Sequence, residues 1–454
     1  APVTLAEGGV PTFWDGTTWT LPPSYISAGI TVEDAERELV FSQDYNQEAG
    51  VLEGCDCTVP SGSNVTFGPN TTLKLLNDVT VEPGGNLTIQ DDASLIQTKS
   101  LPIRPNFGSI ISERKVSSAS ADAFTFWSSP VDRFSVSDIT APFTTSTFEF
   151  DVNAVNSGGT AGDWIPVSEF MISGKGYIVQ VPNEFVPTGF TALFEGEAIT
   201  GPINVDVVKS PDATLPTEEL RHWNLIGNPY PSAINVEEFL TENAQLDGHV
   251  RFWSNGNTDN SAISGTFYTG VAYTYGDPYV TYNRTGSTPD MFGGNIASGQ
   301  GFFVQVDESA SETSSVVFNN TMRFDDNEIA YDNSQFIETN QSSSVPASPN
   351  NQLVWLSLVD DADVSSVALV GYVGGATNGK DRHYDAFSDG GALRLYSTIE
   401  SSKMAIQGRA LPFDTEDLVP LGVDLPASGI YTIGIDQLQG SIFGGSQGIY
   451  LEDT

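Results

Sequence analysis

Short apolar triplets recur between residues 57 and 97 at a nearly constant step, and this pattern limits the possible folds more than any other feature. Their first residues are 8, 8, 6, 8 and 8 positions apart, and Gly, Pro, Asn and Asp occupy the intervals. Strands this short cannot bury a face alone, whereas the stacked coils of a β-solenoid can. A meander of short hairpins is the competing interpretation, and the constant step favours the solenoid. The triplets are Cys57–Val59, Val65–Phe67, Leu73–Leu75, Val79–Val81, Leu87–Ile89 and Leu95–Gln97.

A second constraint is an eight-residue motif that occurs twice. Gly174–Val181 reads Gly-Lys-Gly-Tyr-Ile-Val-Gln-Val, and Gly299–Val306 reads Gly-Gln-Gly-Phe-Phe-Val-Gln-Val. Each copy predicts a glycine turn that leads into a β-strand. Chance similarity is the alternative, but matching segments flank both copies in the same order, which favours a duplicated β unit with a larger insertion in its second copy. The matching segments are Phe126–Val131 with Trp223–Ser232, and Thr191–Gly196 with Ser315–Asn320.

The composition fits many short strands and excludes some partners. The chain has 454 residues, with 44 Gly, 26 Pro and 11% aromatic residues, which predicts several β-rich domains. Its 58 acidic and 18 basic residues give a formal net charge of −40. Such a surface repels nucleic acid and anionic lipid, so neither is an expected partner. Solubility in a salty medium is the favoured reason for this acidity, and divalent-cation binding is the functional alternative.

Cysteine usage indicates neither a disulfide framework nor a zinc site. Cys55 and Cys57 are the two cysteines, and two ligands are too few for zinc. Residues at i and i+2 of a strand lie about 6.5–7 Å apart, at the limit of what a disulfide spans. We therefore expect two buried or half-buried thiols on a strand. The sequence has no apolar run of membrane-spanning length and no signal-peptide pattern at Ala1, so membrane insertion is not expected.

The predicted fold class is all-β: an N-terminal short-coil β-solenoid followed by tandem β-sandwich domains of jelly-roll or immunoglobulin-like type. An aromatic hairpin is predicted around Asp15-Gly16, and a short helix from Asn235, with Glu238 completing a capping box. We expect four segments, namely 1–118 (hairpin segment and β-solenoid), 119–215 (first copy of the duplication), 216–340 (second copy with insertion) and 341–454 (linker and C-terminal β-sandwich).

An ordered set of motifs between residues 79 and 454 resembles large secreted surface proteins of the Bacteroidetes. The set comprises Ala93–Gln97, Phe126–Pro130, Gly174–Tyr177, Trp223–Ser232, Gly299–Phe303, Phe318–Arg323, Tyr384–Ala386 and Ile406–Arg409. The resemblance implies export by the type IX secretion system and, for some members, adhesion linked to gliding motility. Such proteins usually continue into a C-terminal sorting domain, which this chain is expected to lack. The resemblance brings no catalytic residues, and the shared Trp, Pro and Gly residues are expected to be architectural.

Candidate catalytic residues are few. A Ser-His-Asp triad would need one of the three histidines, His222, His249 or His383, and packing or surface roles are favoured for all three. Ser446 lies in a Gly-x-Ser-x-Gly motif, but a strand pattern follows it where a nucleophile elbow requires a helix. Carboxylate pairs for glycoside hydrolysis are too numerous in so acidic a chain to be informative.

Aromatic residues offer a candidate surface for sugars, with cross-strand packing as the favoured alternative. These residues are Trp14, Trp19, Tyr273, Tyr275, Tyr279 and Tyr282. Calcium is the favoured small ligand. Asn255, Asn257 and Asp259 place three oxygen-bearing side chains at alternate positions of a glycine-containing loop, as cation coordination requires. The loops Asp360–Asp363 and Asn378–Asp381 are similar, and a solvated polar turn is the favoured interpretation of each loop.

These observations predict a non-catalytic extracellular protein at the outer cell surface, either an adhesin or a structural or filament module. Self-association and a surface glycan are the expected partner classes. A secreted carbohydrate-active enzyme or carbohydrate-binding protein is the alternative, and a groove with two carboxylates about 5–10 Å apart beside exposed aromatic residues would distinguish it.

Overall fold

The fold is built almost entirely from β-strands, as the sequence predicts. The computed structural model describes residues 9–21, 37–100, 105–117, 123–155, 161–210, 221–254, 279–337, 351–362, 364–388, 391–443 and 448–453. Within these ranges, 33 strands accompany one α-helix and three short 3-10 helices. The solenoid pattern and the all-β class are both confirmed.

The N-terminal part is a solenoid with three parallel β-sheets. Three successive coils each contribute one strand to every sheet, so that β3, β6 and β9 stack, as do β4, β7 and β10, and β5, β8 and β11. Cys57 pairs with Val79, and Leu73 with Leu95, so one coil takes 22 residues and three of the predicted triplets. The strands are β1 (Val10–Trp14), β2 (Trp19–Thr20), β3 (Arg37–Phe41), β4 (Tyr45–Gln47), β5 (Gly50–Gly54), β6 (Asp56–Val59), β7 (Asn64–Phe67), β8 (Thr71–Leu75), β9 (Val79–Val81), β10 (Asn86–Ile89), β11 (Ser94–Gln97) and β12 (Ile110–Val116).

Stacked apolar side chains fill the solenoid. Leu39, Cys57 and Val79 occupy equivalent positions on successive coils and are each 1% exposed. Full burial of one such aliphatic side chain contributes about 1.5–3 kcal/mol, so a few coils accumulate the free energy that a single strand lacks. Cys55 and Cys57 are both buried and unbonded to each other, as expected, but only Cys57 lies on a strand, because Cys55 occupies the corner between β5 and β6. Burial raises the pKa of the Cys55 thiol to about 11, so the thiol stays protonated at neutral pH.

The predicted aromatic hairpin covers the first coil. β1 and β2 pair antiparallel, with Trp14 opposite Trp19, and β1 continues the sheet parallel to β3. In the turn, the Asp15 carboxylate accepts hydrogen bonds from the backbone N–H groups of Thr17 and Thr18 at 2.8 and 2.9 Å. These hydrogen bonds lower the pKa of Asp15 to about 2. A charge-assisted turn therefore fixes the hairpin.

Two units with the same strand order follow the solenoid. The first unit has a sheet β13-β16-β14-β15, and the second has β19-β25-β21-β22-β23. An antiparallel pair accompanies each sheet, namely β12 with β17 and β18 with β26. The strands are β13 (Phe124–Trp127), β14 (Thr147–Val155), β15 (Ala161–Pro166), β16 (Tyr177–Gln180), β17 (Phe190–Gly196), β18 (Ile203–Val208), β19 (Trp223–Gly227), β20 (Ile234–Asn235), β21 (Leu246–Trp253), β22 (Tyr279–Asn283), β23 (Gly286–Thr288), β24 (Asn295–Ile296), β25 (Gly301–Val306) and β26 (Thr313–Phe318).

Both copies of the repeated motif lead into equivalent strands, β16 and β25. Trp127 pairs with Tyr177 in the first unit, as Ile226 pairs with Phe302 in the second. In each of the two accompanying pairs, β12 with β17 and β18 with β26, the first strand lies before a predicted segment boundary. Strand β12 falls within the predicted segment 1–118, and β18 falls within the predicted segment 119–215. The single α-helix of the described residues, α1 (Val236–Glu242), and β20 lie within the larger insertion of the second unit. The 3-10 helices span Val136–Thr140, Asn183–Phe185 and Asn320–Arg323.

The two units meet through a reciprocal contact of their glycine motifs. The Ser128 N–H donates to the Gly299 carbonyl at 2.7 Å, and the Gly227 N–H donates to the Gly174 carbonyl at 2.9 Å. A Cβ atom at Gly176 would lie 2.6 Å from the Ile226 oxygen. Glycine is therefore required because the backbones of the two units approach too closely for any side chain.

The last unit is one seven-stranded sheet of order β32-β30-β31-β28-β27-β33, with β29 also paired to β31. One sheet face, which includes Trp355, contacts the second unit, because the Trp355 indole donates to the Ser287 carbonyl at 2.8 Å. The second unit therefore packs against this face of the sheet as a second layer. The strands are β27 (Gln352–Val359), β28 (Ser365–Tyr372), β29 (Ala386–Phe387), β30 (Arg394–Ile399), β31 (Ser402–Arg409), β32 (Leu421–Asp424) and β33 (Thr432–Gln439).

Candidate functional site

A polar cleft lies beside helix α1 in the second unit. Its volume is about 530 Å³, and the residues that line it come from the helix, from Arg284 and from the segment after β26. The lining residues are Asn235, Glu237, Glu238, Thr241, Glu242, Arg284, Asn319, Thr321, Met322 and Tyr331. Three carboxylates and one guanidinium therefore face the same concave surface.

Local structure explains how the helix positions these acids. The Asn235 side chain caps the helix, because its oxygen accepts from the N–H groups of Glu237 and Glu238 at 2.9 and 3.1 Å. Both glutamates lie in the first turn, where negative charge complements the helix dipole. The Glu238 carboxylate, expected to complete a capping box, accepts instead from the Tyr331 hydroxyl at 2.5 Å. The insertion thus exposes acids to solvent while holding one of them in place.

The charge in the cleft is predominantly negative. Burial raises the pKa of Glu238, and the neighbouring carboxylates of Asp326 and Asp325 raise it further. Arg284 is held at the wall, because its Nη2 donates to the Thr241 hydroxyl at 2.8 Å. The arrangement suits hydrogen bonding to a hydroxyl-rich or cationic molecule. No histidine lines the cleft, so acid–base chemistry there would depend on the glutamates and Tyr331.

The candidate calcium residues Asn255, Asn257 and Asp259 lie outside the described residues, as do Ser446, Tyr273 and Tyr275. In the other two candidate loops, Asp360 and Asp381 serve turns, while the Asn378 side-chain oxygen accepts from the Ala410 N–H at 3.1 Å and Asp363 lies outside the described residues. The Asp360 carboxylate accepts from the N–H groups of Ala362 and Val364 at 2.9 and 2.8 Å, and Asp381 accepts from the Thr377 N–H at 2.5 Å. The described part of the chain contains no group of three or more His, Cys, Asp and Glu side chains suited to a metal ion.

The three histidines lie apart from the cleft lining. His222 Nε2 contacts the Glu308 carboxylate at 2.8 Å, while its Nδ1 accepts from the Ser210 N–H at 2.9 Å. His249 is fully buried against Trp223, and burial lowers its pKa to about 3. Burial and the neighbouring Arg382 lower the pKa of His383 to about 4, so it is neutral at physiological pH.

The described candidate aromatic residues mainly pack on other rings. Trp14 and Trp19 are half-buried and contact Tyr45 at ring distances of 5.1 and 6.0 Å. Tyr279 lies 5.3 Å from Trp253, and Tyr282 lies 5.1 Å from Phe292, both in edge-on geometry. The pairs Trp14–Trp19 and Trp253–Tyr279 are the cross-strand packing expected of aromatic residues in sheets. Tyr45 lies in another sheet of the solenoid and Phe292 lies outside the strands, so the remaining contacts are packing between elements.

Two arginines, Arg323 and Arg382, join the units, a role that the sequence did not indicate. Arg323 is 0% exposed and donates to the Ser232 hydroxyl at 2.9 Å, to the Asn320 amide oxygen at 3.1 Å and to the Leu95 carbonyl on the last solenoid coil. Its guanidinium lies 4.7 Å from the centre of the Tyr230 ring. Burial lowers the pKa of Arg323 to about 10, so the group stays charged at neutral pH.

A second arginine joins the last sheet to the second unit. The Arg382 guanidinium donates to the carbonyls of Leu246, Leu240 and Asn243 at 2.6, 3.1 and 2.8 Å. It thereby binds carbonyl groups at the C-terminal end of α1. Beside it, the Asp385 carboxylate accepts from the N–H groups of Asp381 and Gly408 at 2.5 and 2.9 Å. Motifs that are far apart in sequence thus meet at unit junctions.

No helix within the described ranges has the length and apolar character needed to cross a membrane. A protein-family model described as a domain of unknown function (DUF8693) matches residues 8–454. Searches of curated proteins and of solved structures give no match.

Proposed function

The chain belongs to the DUF8693 family, and we propose that it is a non-catalytic extracellular module that displays a rigid surface, as an adhesin or a structural part of a surface assembly. The observation that supports this proposal is the way the units are joined. Buried Arg323 connects the last solenoid coil to the second unit, and half-buried Arg382 connects the C-terminal sheet to it. Buried hydrogen bonds of this kind fix orientation, which suits a protein that holds a surface away from a cell.

Export by type IX secretion and a position at the outer cell surface are part of this proposal. Their support is the ordered motif set, several of whose residues, such as Leu95, Ser128 and Arg323, form the junctions described above. The test is antibody labelling of intact cells that produce the protein, before and after treatment with an external protease. Labelling that the protease removes is expected. Labelling that appears only after cell lysis would contradict the surface location.

A surface glycan is the second candidate partner, and the cleft beside α1 favours it over other small ligands. Carboxylate, amide and hydroxyl groups line it together with Tyr331, and such groups bind sugar hydroxyls. The experiment is a titration of an oligosaccharide panel with simultaneous product analysis, on the native chain and on Glu238→Gln. Binding that weakens in the variant without product formation is expected. Release of shorter sugars would instead establish the carbohydrate-active enzyme.

Calcium at Asn255, Asn257 and Asp259 also remains a proposal, supported by the alternate spacing of their oxygens. Bound cation would stabilise the folded state by mass action. A chelator is expected to lower the Tm of the native chain and to leave that of Asp259→Ala unchanged. Equal melting of the native chain with and without chelator would remove calcium from the proposal.

A further inference from the structure

The C-terminal sheet ends in a strand that presents apolar side chains to solvent. β33 is last in the sheet order, and within the described ranges β27 is its one partner strand. Ile433, Ile435 and Leu438 are 37%, 49% and 40% exposed. They lie opposite Leu358, Leu356 and Val354 of β27, and directly opposed residues of antiparallel strands share a sheet face. The exposed residues therefore extend an apolar strip along the sheet edge.

The two edges of this sheet differ in how they are protected. The opposite edge strand, β32, has four residues, and its Asp424 forms ion pairs with Arg394 and with Lys403. Short length and charge are common devices that prevent unwanted strand pairing. β33 has eight residues, contains no proline or lysine, and has one charged residue, Asp436. Its backbone edge is therefore better suited to accept another strand.

The charge around β33 indicates the chemistry of its partner. Residues 425–454, which include β33 and the chain on either side of it, contain Asp436, Glu452 and Asp453 but no Lys, Arg or His. The Gln437 amide donates to the Asp290 carboxylate at 2.8 Å, which places a further acid at this edge. Burial raises the pKa of Asp290, and nearby Asp436 adds to this effect. A second acidic copy of this chain would be repelled, whereas a cationic segment would be attracted.

We propose that β33 binds an extended peptide segment of a partner protein, in which apolar residues alternate with lysine or arginine. The segment adds a strand to the sheet through main-chain hydrogen bonds. Its apolar side chains cover Ile433, Ile435 and Leu438, and its basic side chains lie near the carboxylates of Asp436 and Asp290. This interaction depends on the C-terminal sheet and is independent of where the protein is located.

The test uses a fluorescent ten-residue peptide of alternating valine and lysine, with fluorescence anisotropy as the readout. Ile435→Lys places a positive charge on the proposed binding edge, and Val423→Lys places the same charge on β32 at a position that is 38% exposed. We expect Ile435→Lys to weaken binding at least about tenfold and Val423→Lys to change it less than about twofold. Circular dichroism and Tm establish that both variants fold.

Each other outcome contradicts the proposal in a different way. Equal weakening by both variants would mean that the peptide binds the acidic surface nonspecifically. Equal binding of a valine–glutamate peptide would rule out a basic partner. A concentration-dependent dimer of the native chain that Ile435→Lys abolishes would make a second copy the occupant. Absence of binding by the valine–lysine peptide, even at low salt, would overturn the strand addition itself.

Discussion

At the scale of single residues, the buried polar groups at the junctions explain more about the stability of the chain than the residues of the cleft do. Arg323 binds three oxygens from two structural units without a carboxylate among these partners. A buried acceptor that loses its donor costs about 1–3 kcal/mol, because its desolvation is no longer compensated. Junction arginines are therefore sensitive positions for the stability of the whole chain.

Arg323→Met retains much of the side-chain volume but removes all three hydrogen bonds. We expect it to lower the free energy of unfolding by about 3 kcal/mol or more, and to make the link between the solenoid and the second unit susceptible to protease. Chemical denaturation and limited proteolysis measure the two effects. Arg133→Met is the matched control, since Arg133 is exposed and its guanidinium stacks on exposed Phe170. Similar losses in the two variants would contradict the structural role of Arg323.

Asp385 gives a prediction about pH. Burial raises its folded-state pKa to about 7, from about 4 in an unfolded chain. Between these values the folded state binds the additional proton, so this group's contribution to stability is complete below about pH 4 and is lost as the pH rises through 7. The slope is at most about 1.4 kcal/mol per pH unit.

The difference in unfolding free energy between the native chain and Asp385→Asn isolates this contribution from the other acids. Denaturation between about pH 5 and pH 8 is expected to show the native chain losing stability relative to the variant as the pH rises. A difference that stays constant across this range would mean that Asp385 titrates normally.

At the scale of elements, the sequence predicted the solenoid well because its signal is local. The alternation of apolar residues and the turn residues between the triplets can be read within a stretch of about one coil. Val65–Phe67 and its neighbours could therefore be predicted as strands without knowledge of the rest of the chain. The repeated glycine motif was also visible. The reason why the motif needs glycine could not be predicted, because the atom that excludes a side chain at Gly176 is the Ile226 oxygen, which lies in the other unit.

This close approach predicts that Gly176→Ala and Gly301→Ala are destabilising. A Cβ at Gly301 would lie 2.9 Å from the Trp127 backbone nitrogen and oxygen, so the strands must move apart. Overpacking of this kind costs about 1–3 kcal/mol, and each variant should lower the Tm by several degrees. Gly374→Ala is the control, because nothing lies within 4 Å of its added Cβ. Unchanged melting of the first two variants would contradict the reciprocal contact.

The candidate cleft shows where prediction from sequence fails. Asn235 and Glu238 were recognised as helix-cap residues, because that pattern spans one turn. Tyr331 and Arg284 join them from distant positions, and no local period indicates such a meeting. The same limit applies to Arg323, which lies in a recognised motif but donates to Leu95, more than two hundred residues earlier.

At the scale of the whole molecule, the net charge of −40 opposes compactness. Raising NaCl from about 20 mM to about 500 mM shortens the Debye length to a few ångströms and screens this repulsion. We expect the Tm to rise by several degrees at neutral pH. The same titration at about pH 4 is the control, because partial protonation of the carboxylates should reduce the effect of salt. A Tm that falls with salt would show that attractive ion pairs dominate instead.

The reciprocal glycine contact has a consequence for the direction of the molecule. If the two units that meet at this contact were identical, each could bind the same neighbouring parts of the chain. Here β12, which pairs with β17 of the first unit, continues a solenoid sheet, whereas the second unit binds the C-terminal sheet through Arg382. The two units therefore have different neighbours, although Arg323 also joins the second unit to the last solenoid coil.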